Sequence, residues 1–319
     1  MPGKKQRRII LVPESQAEGR VAEIYSEIKT ALGVPHVNLL FQAYGAYPKF
    51  LEMQWRAVQP MVSTAEFFAA AERLRGEAYT RAHNYFSVPD FCAEVKEKQF
   101  SPGARQELAE IVELFHYNNP LLLLIVAALT HAFDEGPAAQ KQSSGPADHP
   151  IFEYKPVSVP EDTGIERVKK VYEDIKRTLD LSFINSDYRA FGRFPDFLEG
   201  YWNAMKPALS SPIYEEHKHR LKESALALAG ELPVTPELSI DELQEAGFHT
   251  EEISAIVRMT EQFLELIAGL ILNVCFAKIG LEGGTRFERK SSIPGGQKSE
   301  SIQPKEDAPS VSGPPERVA

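Results

Sequence analysis

The chain contains the same segment twice, and no other feature limits its folding choices as tightly. Shifted by 147 positions, residues 21–60 fall on 168–207 without a gap, and fifteen of the forty positions are identical. Tyr25/Tyr172, Asn38/Asn185, Gly45/Gly192, Pro48/Pro195 and Trp55/Trp202 are among them. A repeat of this length is a duplicated domain, not a solenoid of small units. Two copies of one fold meet most simply about a pseudo-two-fold axis, as the subunits of a C2 homodimer do. The organisation that follows is an N-terminal arm over 1–14, a first helical repeat over 15–133, a linker over 134–162, a second helical repeat over 163–282 and a tail over 283–319. The linker is rich in Pro, Gly, Ser and Gln. The tail has no apolar face and is expected to be disordered.

Each copy reads as helical. Val21, Ile24, Tyr25, Ile28 and Leu32 have the i, i+3, i+4, i+7 spacing of one apolar helix face. Pro48 and Pro195 suit first helical turns. Long runs such as AEFFAAAERLRGEAYTRAHNYF and TEEISAIVRMTEQFLELIAGL keep the helical period, and no stretch alternates as strands do. The expected fold is all-α: a duplicated helical domain forming an intrachain pseudo-dimer. The apolar runs 121–129 and 267–281 fall short of the ~20 residues of a membrane span and read as core helices.

Composition narrows the function classes. With 45 acidic against 35 basic residues and a net charge of -10, a broad basic surface for nucleic acid is excluded. No membrane partner and a cytoplasmic location are expected. Cys92 and Cys275 lie far apart, which argues against a disulfide framework, a zinc ribbon or a dithiol centre. His217 and His219 form an H-x-H in a charged stretch and read as a solvated face, so no metal is assigned. Dinucleotide, Walker, G-x-S-x-G and H-E-x-x-H motifs do not occur. No cofactor is expected.

Duplication also supplies an internal control: packing positions stay alike in both copies, whereas chemistry is needed only once. Val37-Asn38-Leu39-Leu40-Phe41 faces Ile184-Asn185-Ser186-Asp187-Tyr188. The two leucines mark a buried setting, in which the Asp187 pKa rises and the group becomes a general base. The bland alternative is a first-turn acid favoured by the helix dipole, although Asn38 and Asn185 can cap both helices. The second asymmetry is Asn119, before Pro120, which faces Ile267 when Phe115 is set on Phe263. Asn119 either satisfies a carbonyl freed by a proline kink or holds a water against a carboxylate.

These residues carry a resemblance. LGVPHVNLLFQAYGAYPKFLEMQW, FHYNNP and NSDYRAFGRFPDFLEGYW resemble the DehI-type (group I) 2-haloacid dehalogenases over most of residues 15–282. The resemblance implies an all-helical pseudo-dimer with one active site between its halves, acting on small 2-halocarboxylic acids. Asp187 would activate a water that displaces halide directly, with inversion and no ester intermediate, and Asn119 would help to hold that water. Ser186, His36, Leu39 and Thr260 would contact the substrate. His36 and Leu39 replace two aromatic residues of the family pattern W-V-x-F, and Thr260 replaces a pocket tyrosine. The partners implied are a carboxylic acid and water, and a homodimer is compatible with them. The segment EIYSEIKTALGVP also resembles AhpD-like helical proteins, whose redox members need a Cys pair that this chain lacks. Two other functions fit the same residues: a small-carboxylate binding protein without turnover, or another helical enzyme using Asp187 as a base on a carbon acid.

Overall fold

The computed structural model describes residues 9–136 and 140–285. The first eight residues of the expected arm, and the expected tail apart from 283–285, lie outside the described residues. Among the described residues twelve α-helices follow one another and there is no strand, only an isolated bridge between Thr64 and Pro146. The first six are α1 (Gly19–Leu32), α2 (Leu39–Tyr44), α3 (Pro48–Val62), α4 (Ala65–Tyr85), α5 (Phe91–Glu97) and α6 (Pro102–Glu135). The second six are α7 (Glu166–Leu179), α8 (Ser186–Phe191), α9 (Pro195–Leu209), α10 (Pro212–Glu231), α11 (Ile240–Glu245) and α12 (Thr250–Leu281). Helix starts carry the expected chemistry: Pro opens α3, α6, α9 and α10, and Ser101 and Ser211 accept backbone N–H groups at their caps.

The two sets run in parallel. Their lengths are 14, 6, 15, 21, 7 and 34 residues in the first and 14, 6, 15, 20, 6 and 32 in the second. Individual contacts recur with the 147-residue offset. Tyr25 Oη donates to the carbonyls of Val12 at 2.9 Å and Phe41 at 3.2 Å, and Tyr172 Oη reaches those of Val159 at 3.3 Å and Tyr188 at 3.4 Å. The Trp55 indole donates to Glu27 at 2.8 Å and that of Trp202 to Asp174 at 2.7 Å. Glu14 accepts from the Val37 backbone at 3.2 Å, and Glu161 from Ile184 at 2.8 Å. Because Val159 and Glu161 take part, the last residues of the expected linker pack as part of the second half.

Three residues from the described part of that linker, 140 onwards, are pinned to the helices and turns beside it. Lys141 N–H bonds Pro233 O, Ala147 N–H bonds Ser63 O and Phe152 N–H bonds Gly33 O, at 2.7, 3.3 and 2.8 Å. The described residues belong to one compact unit, so both halves share a core. Helices α6 and α12, at 34 and 32 residues, are long and apolar enough to cross a membrane, and longer than the apolar runs alone suggest. In this fold their most apolar windows are 94% and 78% buried against protein, which makes them core helices.

The recurrent tyrosine contact explains two glycines. A Cβ on Gly45 would sit 2.2 Å from Tyr25 Oη, and one on Gly192 2.2 Å from Tyr172 Oη. Gly45→Ala and Gly192→Ala are each expected to destabilise the protein by roughly 1–3 kcal/mol through overpacking. Gly76→Ala, on the exposed side of α4 with nothing within 4 Å, should instead gain about 0.5–1 kcal/mol. Denaturant melts of the three variants check this, and equal responses would contradict it.

Candidate active site

Asp187 enters the site because α8 begins one residue before it. Asn185 occupies the cap position, Ser186 and Asp187 form the first turn, and Asp187 is 2% exposed. The capping expectation needs one correction. Asn38 accepts the Leu40 N–H at 3.1 Å as foreseen, but the Asn185 side chain accepts no cap bond. Asp187 itself accepts the Tyr188 N–H at Oδ1, at 2.9 Å. Its other oxygen, Oδ2, is buried with no hydrogen-bond partner among the described residues. Burial pushes its pKa from 3.8 up to about 7, against the opposing pull of the backbone N–H groups of Tyr188 and Asp187.

Asn119 reaches the same place from α6. It is 3% exposed, and its Nδ2 likewise has no partner among the described residues. Pro120 follows within the helix, where it removes one backbone donor and crowds the preceding turn. A small cavity joins the two side chains. Its polar side comprises Asn38, Asn119, Asn185, Ser186 and Asp187, and its apolar side comprises Leu39, Phe115, Leu122, Phe263, Leu266, Ile267 and Leu270. Its volume is about 20 Å³, room for roughly one water molecule.

The lining residues pair by the repeat offset, 147 in the early segment and 148 along α6 and α12: Asn38 with Asn185, Leu39 with Ser186, Phe115 with Phe263, Asn119 with Ile267 and Leu122 with Leu270. Corresponding positions of the two halves thus meet around one space. Within it Asp187 alone is ionisable, and its own counterpart Leu40 is buried and apolar. A lone carboxylate with a pKa near neutrality in an apolar cavity can take a proton from water at physiological pH.

Of the six residues singled out in the sequence, four line the cavity: Asp187, Asn119, Ser186 and Leu39. His36 and Thr260 do not. The His36 ring stands behind the wall, 5.5 Å from the Phe115 ring, and burial lowers its pKa to about 4, so it stays neutral. Thr260 is turned toward the first half, where its hydroxyl meets Tyr44 Oη at 3.0 Å and donates to Ile256 O at 3.0 Å. Substrate contact by either would be indirect. Asn38 and Asn185 were read as caps and prove to be lining residues as well, a role that the repeat alignment around Asp187 could have suggested. His217 is not on a solvated face: it is 4% exposed, beside Arg81 at 3.1 Å and the Tyr85 ring. No cluster of three metal-ligating side chains occurs among the described residues.

Comparison with known proteins gives a consistent picture. The family described as halocarboxylic acid dehydrogenase DehI matches residues 35–188. An (R)-2-haloacid dehalogenase of Pseudomonas putida is 30% identical over 84% of this chain and 91% of its own length. Another from Rhizobium sp. (strain NHG3) is 26% identical over 70% of this chain and 87% of its own. Among solved structures, the complex of a D-2-haloacid dehalogenase with L-LA superposes with a TM-score of 0.82 at 29% identity, covering 88% of this chain and 99% of that one.

The raised pKa of Asp187 has a measurable consequence for stability. The native state keeps a proton that the unfolded chain releases above pH ~4. The stability of the neutral native form is therefore full below pH ~4 and is lost progressively as the pH rises through about 7. Asp187→Asn, which is never charged, should match the wild type near pH 4 and exceed it by roughly 2–4 kcal/mol at pH 8. Urea melts at the two pH values check this, and a variant no more stable at pH 8 would show that the carboxylate is not desolvated.

Proposed function

This chain belongs to the DehI family of halocarboxylic acid dehalogenases, and from that membership we propose that it hydrolyses the carbon–halogen bond of a small 2-halocarboxylic acid. The observation that carries the reading is the single ionisable group of the cavity, Asp187, beside the Asn119 amide with room for about one water. Asn119 Nδ2 donates to that water, and Asp187 Oδ2 accepts one of its protons. The water oxygen forms its bond to C2 from the side opposite the halogen. The carbon–halogen bond breaks, the electron pair leaves with halide, and the carbon inverts. The products are the 2-hydroxy acid, halide and a proton held first by Asp187. Halide is a weak base and needs no general acid, so one base is enough.

The Ser186 hydroxyl and the Asn185 amide provide neutral donors for the substrate carboxylate. Leu39, Phe115, Phe263, Ile267 and Leu270 form the apolar surroundings of the carbon and halogen. An acid of three carbons needs more room than the one water that this cavity of about 20 Å³ can take. Leu266 and Leu270 also line a neighbouring cavity of about 590 Å³, which supports entry past these two side chains. The wider proposal is an intrachain pseudo-dimer with one active site at its pseudo-axis. Cytoplasmic residence and a homodimer belong to the same proposal, tested by cell fractionation and by light scattering.

Halide release measured on both enantiomers of 2-chloro- and 2-bromopropionate tests the reaction. Turnover is expected for at least one, with kcat/KM rising to a plateau above about pH 7 as Asp187 ionises. Asp187→Asn should cost ~10²–10⁴ in rate while the fold persists. Binding of the acids without halide release would indicate a binding protein, and an Asp187→Asn variant with wild-type turnover would refute the mechanism.

A further inference from the structure

Behind Asp187 lies a buried polar network that the first half of the molecule lacks. Asn273 of α12 donates from Nδ2 to Tyr188 Oη at 2.9 Å and accepts at Oδ1 from Tyr214 Oη at 2.8 Å. Tyr201 Oη donates to the Asn273 backbone carbonyl at 2.8 Å. Tyr188, Asn273 and Tyr214 are all buried. Their counterparts in the first half, by the offset of 147 or 148, are Phe41, Ile125 and Phe67, which are buried and carry no polar side-chain atom. Packing does not call for the hydroxyl of Tyr188: its ring meets Trp202 edge-on at 6.1 Å and 83°, much as Phe41 meets Trp55 at 6.3 Å and 85°. Burying three polar groups where three apolar ones also fit is unfavourable unless each finds a partner. The network appears only in the half that carries Asp187.

Its connectivity suggests the use. Tyr188 follows Asp187 on α8, and its backbone N–H holds Asp187 Oδ1. Asn273 lies on α12, which also carries Phe263, Ile267 and Leu270 of the cavity wall. We infer that Tyr188, Asn273 and Tyr214 are positioning residues: they tether α8 to α12 and so hold the Asp187 carboxylate against the cavity in which water is activated. None of the three lines the small cavity beside Asp187, although Tyr214 and Asn273 line the neighbouring cavity of about 590 Å³. The inference rests on the reading of Asp187 as the base. Burial and the backbone N–H groups of Tyr188 and Asp187 alone act on the Asp187 carboxyl, whose charge in turn raises the phenols of Tyr188 and Tyr201, already kept protonated by burial.

Tyr188→Phe and Tyr214→Phe each remove one oxygen and copy the residue found in the other half, so both variants should fold. In protein labelled with ¹³C at its aspartate carboxyls, Asp187 is assigned by comparison with Asp187→Asn and its titration midpoint is followed. With the tether cut, α8 shifts, water reaches the carboxylate, and the midpoint should fall by more than about half a pH unit in both variants. The acid limb of kcat/KM should move with it, and kcat should drop roughly 10- to 100-fold with little change in KM. A network with a purely structural role would lower the melting temperature and leave midpoint and limb in place. An unchanged midpoint in both variants overturns the tether, whatever the activity does. Full activity in Asp187→Asn would instead overturn the assignment of the base, and the titration arm would still judge the tether.

Discussion

The packing of α6 against α12 is the interaction on which the rest of this structure depends. Every residue of α6 from Leu114 to Leu129 is buried, as is every residue of α12 from Ile267 to Ala277. A helix apolar on all sides has to be surrounded. The other helices complete that enclosure. Asn119, Phe115 and Leu122 are therefore presented by one central helix and Ile267, Phe263 and Leu270 by the other. The short helices α2 and α8 bring Leu39 and Asp187 to the same space. The cavity is a by-product of two equivalent helices meeting where their side chains do not fill every gap.

Chemistry at that place is set against stability. Asp187, Asn118 and Asn119 are all buried, and Asn118 has neither side-chain atom partnered among the described residues. Unpaired buried polar groups each cost on the order of 1–3 kcal/mol. The apolar core around them is extensive, from Trp55 and Trp202 to the long leucine run, and it can carry that cost. A fold that buries much of two long helices has stability to spare for one poorly solvated carboxylate. A smaller domain would have less.

Much of this was legible in the sequence, for a physical reason. Helical period and the repeat are local or pairwise patterns, so the all-α class and the parallel order of helices could be read along the chain. Asp187 and Asn119 stood out because a duplicated fold makes polar-for-apolar exchanges visible. Which side chains meet around the cavity was not legible, since that depends on how α6 and α12 slide against each other. Leu266 and Leu270 were missed for that reason. The roles of His36 and Thr260 came from the resemblance rather than from the repeat, and in the fold His36 packs 5.5 Å from the Phe115 ring and Thr260 meets Tyr44, neither lining the small cavity. The partners of Tyr188 lie on α10 and α12, outside the best-matched segment, so that network emerges only in three dimensions.

The same geometry explains why the two halves had to differ. A cavity lined by equivalent positions would receive two carboxylates if Leu40 were also an aspartate. Like charges in a small apolar space cannot both ionise readily, and they would titrate as a coupled pair with one value pushed far up. Such a pair would share a proton over a range of pH, and the charge on each carboxylate would depend on its neighbour. With leucine at one of the two positions, a single carboxylate remains, raised by burial to about 7 against the pull of the Tyr188 and Asp187 backbone N–H groups. Replacing the second asparagine by Ile267 gives the opposite side of the cavity an apolar surface. Equivalent positions of the repeat build the space, and their divergence at a few places gives it one polar side and one apolar side, the arrangement on which the proposed displacement of halide by water rests.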